Sequence, residues 1–234
     1  MDDLMPAGPV LVCAATVREL EACCGRAILG EAEAGKGVIL AVTGVGIPLT
    51  LARLLPLASR LRPGLIVNVG LGGAYPGSHL RVGDLVAGES EVFGDLGLEL
   101  PGPEAFVPMR EQAWADSVYR WPLSLVVDPL VVPGQPDGPD ASPVKVGKGC
   151  TVNACTGREE TGRRRRELFG ADFESMEGAA VALAGRQLGI AVCELRAISN
   201  LASTRDMRPE NIERALENLG AYMRPWLGKL CHAG

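Results

Sequence analysis

Two segments in the C-terminal half carry the side chains best suited to chemistry. In the first, Glu174 and Glu177 lie on either side of Met176. The second presents a cation, a hydroxyl and an amide close together, at Arg196, Ser199 and Asn200. A carboxylate at a strand end can bind the two neighbouring hydroxyls of a ribose. The carboxyl ends of parallel strands meet at one ligand-binding rim, so both segments are expected to share a site.

A further carboxylate is expected near the same rim. Glu19 follows Thr16 by three residues, which is the spacing of a capping box at the start of a helix. Glu19 is therefore either a helix cap or a rim carboxylate. Arg196 interrupts an otherwise apolar predicted strand, where an unpaired charge is costly. Glu19 and Glu177 are its candidate partners, and a purely structural ion pair is the alternative.

Three other features have weaker chemical signals. The run Gly70-Leu71-Gly72-Gly73 follows a predicted strand and is either an anion-binding loop or a tight strand exit. Its spacing matches neither the dinucleotide-binding motif nor the P-loop. The basic run at residues 163–166 spreads around a predicted helix, which is typical of a solvated face. His79 is predicted at a loop tip.

The order of the predicted elements indicates an α/β fold. Strands are predicted at Val10–Ala15, Gly37–Thr43, Leu65–Val69, Asp84–Val92, Val144–Val152 and Ala191–Ser199. Helices are predicted after Thr16, from Gly46 through Arg60, and at Met109–Tyr119, Gly157–Phe169, Met176–Leu188 and Pro209–Leu230; residues 101–108 and 133–143 are predicted as loops. This alternation predicts one three-layer αβα domain over residues 1–234, with helices on both faces of a mixed, mainly parallel twisted sheet.

The composition argues against several classes of partner. A net charge of −5 gives no general attraction to nucleic acid or to an anionic membrane, and an aromatic content of 4% is low for base stacking. Both properties indicate a small-molecule substrate. The acidic N-terminus and the lack of an apolar run of about 20 residues predict a cytoplasmic protein. Seven cysteines, an odd number, and two histidines predict buried, reduced thiols and no zinc site.

With these residues in view, the chain resembles the nucleoside phosphorylase/nucleosidase superfamily. The resemblance rests on residues 68–74 (NVGLGGA), 174–179 (ESMEGA) and 196–200 (RAISN). Three further elements are typical of the futalosine hydrolase branch of that superfamily: Tyr75-Pro-Gly-Ser, Gly94-Asp-Leu-Gly and Arg205-Asp206. The resemblance extends from about Val10 to the C-terminus and implies the nucleoside phosphorylase-like fold.

The resemblance also implies a role for each matched position. Glu19 would hold an attacking water, Arg196 would help orient it, and Glu177 would bind the ribose hydroxyls with Met176 packed on the sugar. Ser199 and Asn200 would contact N7 of a purine. The remaining implied contacts with sugar and base are Leu71, Gly72, Gly73, Ala154 and Cys155. The resemblance implies no metal or organic cofactor, and a homodimer or larger homo-oligomer in which a loop of the partner closes the pocket.

Two positions depart from related sequences. Asn200 stands where adenine-releasing nucleosidases have Asp, and an amide cannot deliver a proton to a departing base. It can still donate hydrogen bonds to a base that leaves as an anion. The missing acid therefore favours hypoxanthine over adenine as the leaving group. Leu71 is apolar in the loop that holds phosphate in phosphorylases, which favours water as the nucleophile.

The resemblance thus implies hydrolysis of futalosine to hypoxanthine and dehypoxanthine futalosine in menaquinone biosynthesis. The nearest rival activity is that of an adenine-releasing nucleosidase acting on methylthioadenosine or aminofutalosine, for which Asp206 is the candidate acid. Phosphorolysis is a second rival, and a non-catalytic nucleoside sensor is a third. Arg205 is the candidate partner for the carboxylate of futalosine.

Overall fold

The framework of the molecule is a mixed β-sheet. The computed structural model describes residues 8–28, 32–35, 37–101, 106–109, 125–126, 143–204 and 206–232. The strands in these ranges are β1 (Val10–Ala14), β2 (Ala32–Gly35), β3 (Val38–Val42), β4 (Leu65–Ala74), β5 (Leu85–Phe93), β6 (Gly97–Glu99), β7 (Phe106–Pro108), β8 (Leu125–Val126), β9 (Lys145–Thr151), β10 (Phe173–Ser175) and β11 (Ala191–Leu201). The main sheet has the order β10-β9-β5-β11-β4-β1-β3-β2, with β8 beside β5, while β6 and β7 pair separately.

Helices cover both faces of this sheet. The described helices are α1 (Val17–Cys24), α2 (Ile47–Leu61), α3 (Glu159–Phe169), α4 (Gly178–Leu188) and α5 (Pro209–His232). Strand β1 shows the layering, because successive side chains of a strand point to opposite faces. Val10 and Val12 pack with α1 and α5, whereas Leu11 and Cys13 pack with α2 and α4. The predicted three-layer α/β fold is confirmed.

Strand β4 is longer than the sequence predicts, and this lengthening shapes the site. The predicted strand ended at Val69, but the glycine run continues as strand through Ala74. It is neither a turn nor an anion-binding loop. Gly72 pairs with Ile198 of β11, and Gly73 pairs with both Asn200 of β11 and Glu174 of β10. The run lies between two other strands, so the absence of side chains there is a packing requirement.

Strand β10 closes part of the sheet into a ring. It pairs parallel with β9 and antiparallel with β4, which links β4, β11, β5, β9 and β10 in a closed circuit. The two chemical segments were predicted to meet because their strands would run parallel. They meet instead because β10 runs antiparallel to β4, so Phe173 at the start of β10 lies opposite Ala74 at the end of β4.

The other predicted elements agree with the structure apart from their ends. Within the predicted loop at 101–108, residues 106–108 form the short strand β7. The predicted helix Met109–Tyr119 beyond Met109 and the predicted loop at 133–143 up to residue 142 lie outside the described residues. Three of the seven cysteines are only half-buried, which corrects the prediction that all are buried: Cys24, Cys155 and Cys231. Among the described residues, none of the helices is long and apolar enough to cross a membrane.

Candidate active site

One cleft brings together most of the side chains that the sequence predicted to do chemistry. Its volume is about 190 Å³, and its walls are Ala15, Thr16, Glu19, Val45, Leu71, Gly72, Gly73, Cys155, Glu174, Ser175, Met176, Glu177, Ser199, Asn200 and Met207. A larger cavity of about 610 Å³ lies beside α3, but none of the predicted site residues lines it. The chemistry of the lining therefore identifies the smaller cleft as the candidate site.

Glu19 is both a helix cap and a rim carboxylate. Its Oε2 accepts hydrogen bonds from the backbone N–H of Thr16 (2.9 Å) and from the Thr16 hydroxyl (2.7 Å), within a capping box at the start of α1. Its Oε1 accepts from the backbone N–H of Leu71 (2.9 Å). These bonds fix the carboxylate between α1 and β4, with one side facing the cleft.

Glu177 is held between a backbone amide and a buried guanidinium. Its Oε1 accepts from the N–H of Gly46 (3.0 Å), and its Oε2 accepts from Nη1 of Arg196 (3.3 Å). Glu177 is also the N-cap residue of α4, where the helix dipole favours a negative charge. Burial raises the pKa of Glu177, and the nearby Arg196 charge opposes that rise.

Arg196 lies behind the cleft and does not line it. The side chain is fully buried, and Nη1 also reaches the carbonyl of Leu71 (3.4 Å). Its Nε donates to Glu194 (2.8 Å), so the second paired carboxylate is Glu194 and not the predicted Glu19. Burial alone would lower the pKa of Arg196, but the Glu194 and Glu177 charges raise it above its ordinary value. Arg196 therefore stays cationic and links Glu177 to the backbone of β4.

A β-bulge in β11 sets the position of Asn200. The register of β11 against β4 shifts between Ile198 and Asn200, which leaves Ser199 without an opposite residue. The Ser199 hydroxyl lies within hydrogen-bonding distance of Oδ1 of Asn200 (3.0 Å) and of the carbonyl of Gly72 (3.4 Å). Nδ2 of Asn200 donates to the carbonyl of Leu201 (3.0 Å), which leaves its second N–H for a ligand. Asn200 therefore acts as a donor at this end of the cleft.

The segment after β9 is held in place by a buried carboxylate. Glu174 accepts hydrogen bonds from the N–H of Thr156 (2.8 Å) and from its hydroxyl (2.6 Å). Arg165 donates to the carbonyl of Ala154 (3.1 Å) and lies 3.4 Å from Glu174. The Glu174 oxygens thus hold this segment in place, so Glu174 acts as a positioning residue in the cleft wall.

Several sequence interpretations of individual residues need correction. Ala154 is exposed and does not line the cleft, whereas Cys155 does. Arg165 has a side chain only 15% exposed and does not belong to a solvated face. Asp206 is exposed, pairs with Arg208 (2.7 Å) and does not line the cleft, while Arg205 lies outside the described residues.

Glu194 was not among the site residues predicted from the sequence. The signal was available, because Glu194 lies two residues before Arg196 in a predicted strand and so shares its face. A carboxylate and a guanidinium on one face of an apolar strand are each other's natural partners. Glu194 and Arg196 are 1% and 0% exposed.

Comparison with known proteins identifies the family of the chain. Residues 9–225 match the family model of the phosphorylase superfamily. The chain is 32% identical to futalosine hydrolase of Thermus thermophilus over 195 residues, which is 83% of each chain. It is 33% identical to futalosine hydrolase of Streptomyces coelicolor over 155 residues, which is 66% of this chain and 61% of that one.

Solved structures match the fold along nearly the whole chain. S-adenosylhomocysteine nucleosidase of Streptococcus pyogenes has a TM-score of 0.75 at 21% identity, covering 97% of this chain and 99% of that one. Futalosine hydrolase of Helicobacter pylori has a TM-score of 0.68 at 16% identity, covering 95% and 98%. Given the family match and the relative from Thermus, the chain belongs to the phosphorylase superfamily and, within it, to the futalosine hydrolase family.

Proposed function

We propose that the protein hydrolyses the N-ribosidic bond of futalosine and releases hypoxanthine. The observation that carries this proposal is a cleft with a fixed carboxylate at one wall, an ion-paired carboxylate beside it and an amide donor at the far end: Glu19, Glu177 and Asn200. The identity to the Thermus futalosine hydrolase supports the choice of substrate. In the reaction, the bond between C1′ and N9 breaks, the oxygen of water bonds to C1′, and the departing base gains a proton.

Glu19 is proposed to hold the water and accept its proton. Its carboxylate is anchored on both oxygens, so it needs no rearrangement before it acts. Proton removal by a positioned carboxylate contributes about 10²- to 10⁴-fold to a rate. The proton passes to solvent after the water oxygen has bonded to C1′.

Glu177 is proposed to bind the ribose hydroxyls and to stabilise the positive charge that develops on the sugar. Glycosidases use carboxylates for the same purpose, because their transition states resemble an oxocarbenium ion. Met176 lies beside it in the cleft wall and offers a soft apolar surface for the sugar. Arg196 keeps Glu177 in place without contacting the substrate.

Asn200 is proposed to stabilise hypoxanthine as it leaves. Its carbonyl oxygen lies 3.0 Å from the Ser199 hydroxyl, so the amide presents an N–H to the cleft. A 6-oxopurine spreads negative charge onto O6 and N7, both of which accept hydrogen bonds. Preorganised donors of this kind stabilise developing negative charge. The position of Asp206 supports hypoxanthine as the base, because this candidate acid for adenine pairs with Arg208 and is absent from the described lining of the cleft.

Water is proposed as the nucleophile because the glycine run offers no site for phosphate. The N–H of Leu71 already donates to Oε1 of Glu19, so a backbone donor that a phosphate would need is occupied. The same carboxylate would also repel an anion. Leu71 itself adds only an apolar side chain.

The proposal is tested by incubating the protein with futalosine, inosine and methylthioadenosine in phosphate-free buffer and identifying the released base. We expect hypoxanthine from futalosine, and little adenine from methylthioadenosine. Adenine as the main product would favour an adenine-releasing nucleosidase, and a requirement for added phosphate would favour phosphorolysis. Tight binding with no release would indicate a nucleoside sensor. A place in menaquinone biosynthesis is part of the proposal, since it follows from futalosine as substrate.

A further inference from the structure

Three buried carboxylates surround a single guanidinium behind the cleft. Glu177 and Glu194 both pair with Arg196, and Glu194 also accepts from Nδ2 of Asn68 (3.3 Å). The third carboxylate, Glu91, lies on the neighbouring strand β5 and is fully buried. Its Oε2 accepts from the Thr151 hydroxyl (2.8 Å), which in turn accepts from the N–H at the start of α4.

Glycines make the space that Glu91 and Glu194 occupy. A Cβ on Gly149 would lie 1.9 Å from Oε1 of Glu91, and one on Gly88 would lie 2.8 Å from Oε2 of Glu194. A Cβ on Gly178 would collide with both carboxylates, at 2.4 Å from Glu91 and 2.6 Å from Glu194. Because a methyl group at Gly178 would touch both carboxyl groups, Glu91 and Glu194 are close neighbours in a cavity formed by glycines.

The hydrogen bonds of this cluster are incomplete if both carboxyl groups are ionised. Oε1 of Glu91 and Oε2 of Glu194 have no donor among the described residues. Buried polar atoms without partners are rare, because each destabilises the folded state. One guanidinium also cannot neutralise three buried carboxylates. A single proton on Glu91 reduces both faults, because it removes one negative charge and turns Oε1 of Glu91 into a donor toward Glu194.

The groups around Glu91 favour that proton. Burial raises the pKa of Glu91 well above its ordinary value of 4.5, and the adjacent Glu194 raises it further, against smaller opposing effects of Thr151 and Arg196. The cluster is completed on β1 by Cys13, whose pKa burial raises to about 12, so this thiol is neutral. Glu177 of the loop before α4 and Asn68 of β4 reach the cluster only through Arg196 and Glu194.

We propose that Glu91 and Glu194 share one proton, and that this singly charged pair holds Arg196 against Glu177. Glu91 and Glu194 are then positioning residues, which act on the sugar-binding carboxylate through the guanidinium. The kinetic part of this inference rests on the proposed function. The sharing of the proton does not, and it is tested without any substrate.

The first test is the pH dependence of stability. The folded state binds the Glu91 proton more tightly than the unfolded state, so this residue lowers stability as the pH rises from about 4.5 through the folded pKa. Glu91→Gln keeps a neutral side chain of the same shape and removes this loss. We expect the melting temperature of Glu91→Gln, relative to wild type, to increase steadily between pH 5 and pH 9.

The control for this test is Glu89→Gln, which changes an exposed carboxylate on the same strand. Its melting temperature should follow that of wild type at each pH. If the difference in melting temperature between Glu91→Gln and wild type is as independent of pH as that of the control, the proposal is overturned. Infrared spectra of the wild-type protein at neutral pH give an independent measurement, which needs no variant to fold. A protonated carboxyl band should be present, and its absence also overturns the proposal.

The second test compares the two members of the pair kinetically. Glu194→Gln removes the charged partner of Nε of Arg196 and should lower kcat/KM by about 10- to 100-fold. Glu91→Gln imitates the protonated acid and should lower it by less than about threefold. Equal losses in the two variants contradict the assignment of the proton. If wild-type protein releases no base from any nucleoside, the proposed function fails, while the stability test still decides the proton.

Discussion

At the scale of single residues, the site combines structural and chemical roles in the same side chains. Glu19 closes a capping box and binds the backbone of β4, and Asn200 ends a β-bulge before it faces the cleft. Such overlap makes a simple deletion hard to interpret, because it removes a cap as well as a reactive group. Isosteric substitutions separate the two roles.

Glu19→Gln should abolish turnover while leaving the fold intact. Glutamine also suits the third position of a capping box, so its carbonyl oxygen keeps the bonds to Thr16, while its NH2 group loses the bond from the N–H of Leu71. A neutral amide cannot accept a proton from water, and we expect kcat to fall by about 10³-fold with little change in futalosine binding. The matched control is Glu21→Gln on the same helix, which lies outside the cleft. Near-normal turnover by Glu19→Gln would disprove the role of this carboxylate.

Asn200→Asp should shift the preference for the leaving base. The carboxyl group of Asp lacks the N–H that favours a 6-oxopurine. In its protonated form it can donate a proton to N7 of adenine. We expect the ratio of adenine release from methylthioadenosine to hypoxanthine release from futalosine to rise by about tenfold or more. Asn200→Ala should weaken hypoxanthine release without creating adenine release. An unchanged ratio in the Asp variant would show that base choice lies elsewhere.

At the scale of elements, the sequence predicted the strands and helices well but not the closure of the sheet. Hydrophobic runs such as Leu65–Val69 are local signals, so the strands they form can be predicted from the sequence. The continuation of β4 through its glycines was not, because glycine disfavours strands and the stabilising partners are distant in sequence. The pairing of β10 with β4 is equally non-local. The site residues were predicted mainly from motifs, while Glu194 and the role of Glu174 required the packing around them.

Gly73→Ala tests whether this tight strand contact positions the site. A Cβ there would lie 3.1 Å from Nδ2 of Asn200 and 3.5 Å from Cγ of Glu174, so the amide must move by a few tenths of an ångström. Small displacements of positioned groups cost rate more than stability. We expect kcat/KM for futalosine to fall about tenfold, with a melting temperature close to that of wild type.

The matched control is Gly157→Ala, because a Cβ at Gly157 meets nothing within 4 Å. This variant should retain both activity and stability. If Gly73→Ala also behaves like wild type, the contact between β4 and Asn200 tolerates movement, and the bulge is not what orients the amide.

At the scale of the whole molecule, the mouth of the cleft bears exposed apolar side chains. The prediction of one domain over residues 1–234 and the prediction of a homo-oligomer both remain predictions. Four exposed apolar side chains lie near the ends of helices: Val17 begins α1, Val45 and Leu49 lie at the start of α2, and Met207 precedes α5, each at least 40% exposed. Two of them, Val45 and Met207, also line the cleft. Contiguous exposed apolar surface is a mark of interaction sites.

We therefore expect the protein to associate with a second copy through this apolar rim. Light scattering after size-exclusion chromatography should give a mass at least twice the 24.6 kDa of one chain. Leu49→Lys places a charge in the rim and should shift the mass toward the monomer, because burying an unpaired charge opposes association. Val146→Lys, at an exposed apolar position on β9, should leave the mass unchanged. A wild-type monomer at micromolar concentration would contradict the prediction, and the rim would then face solvent in the active enzyme.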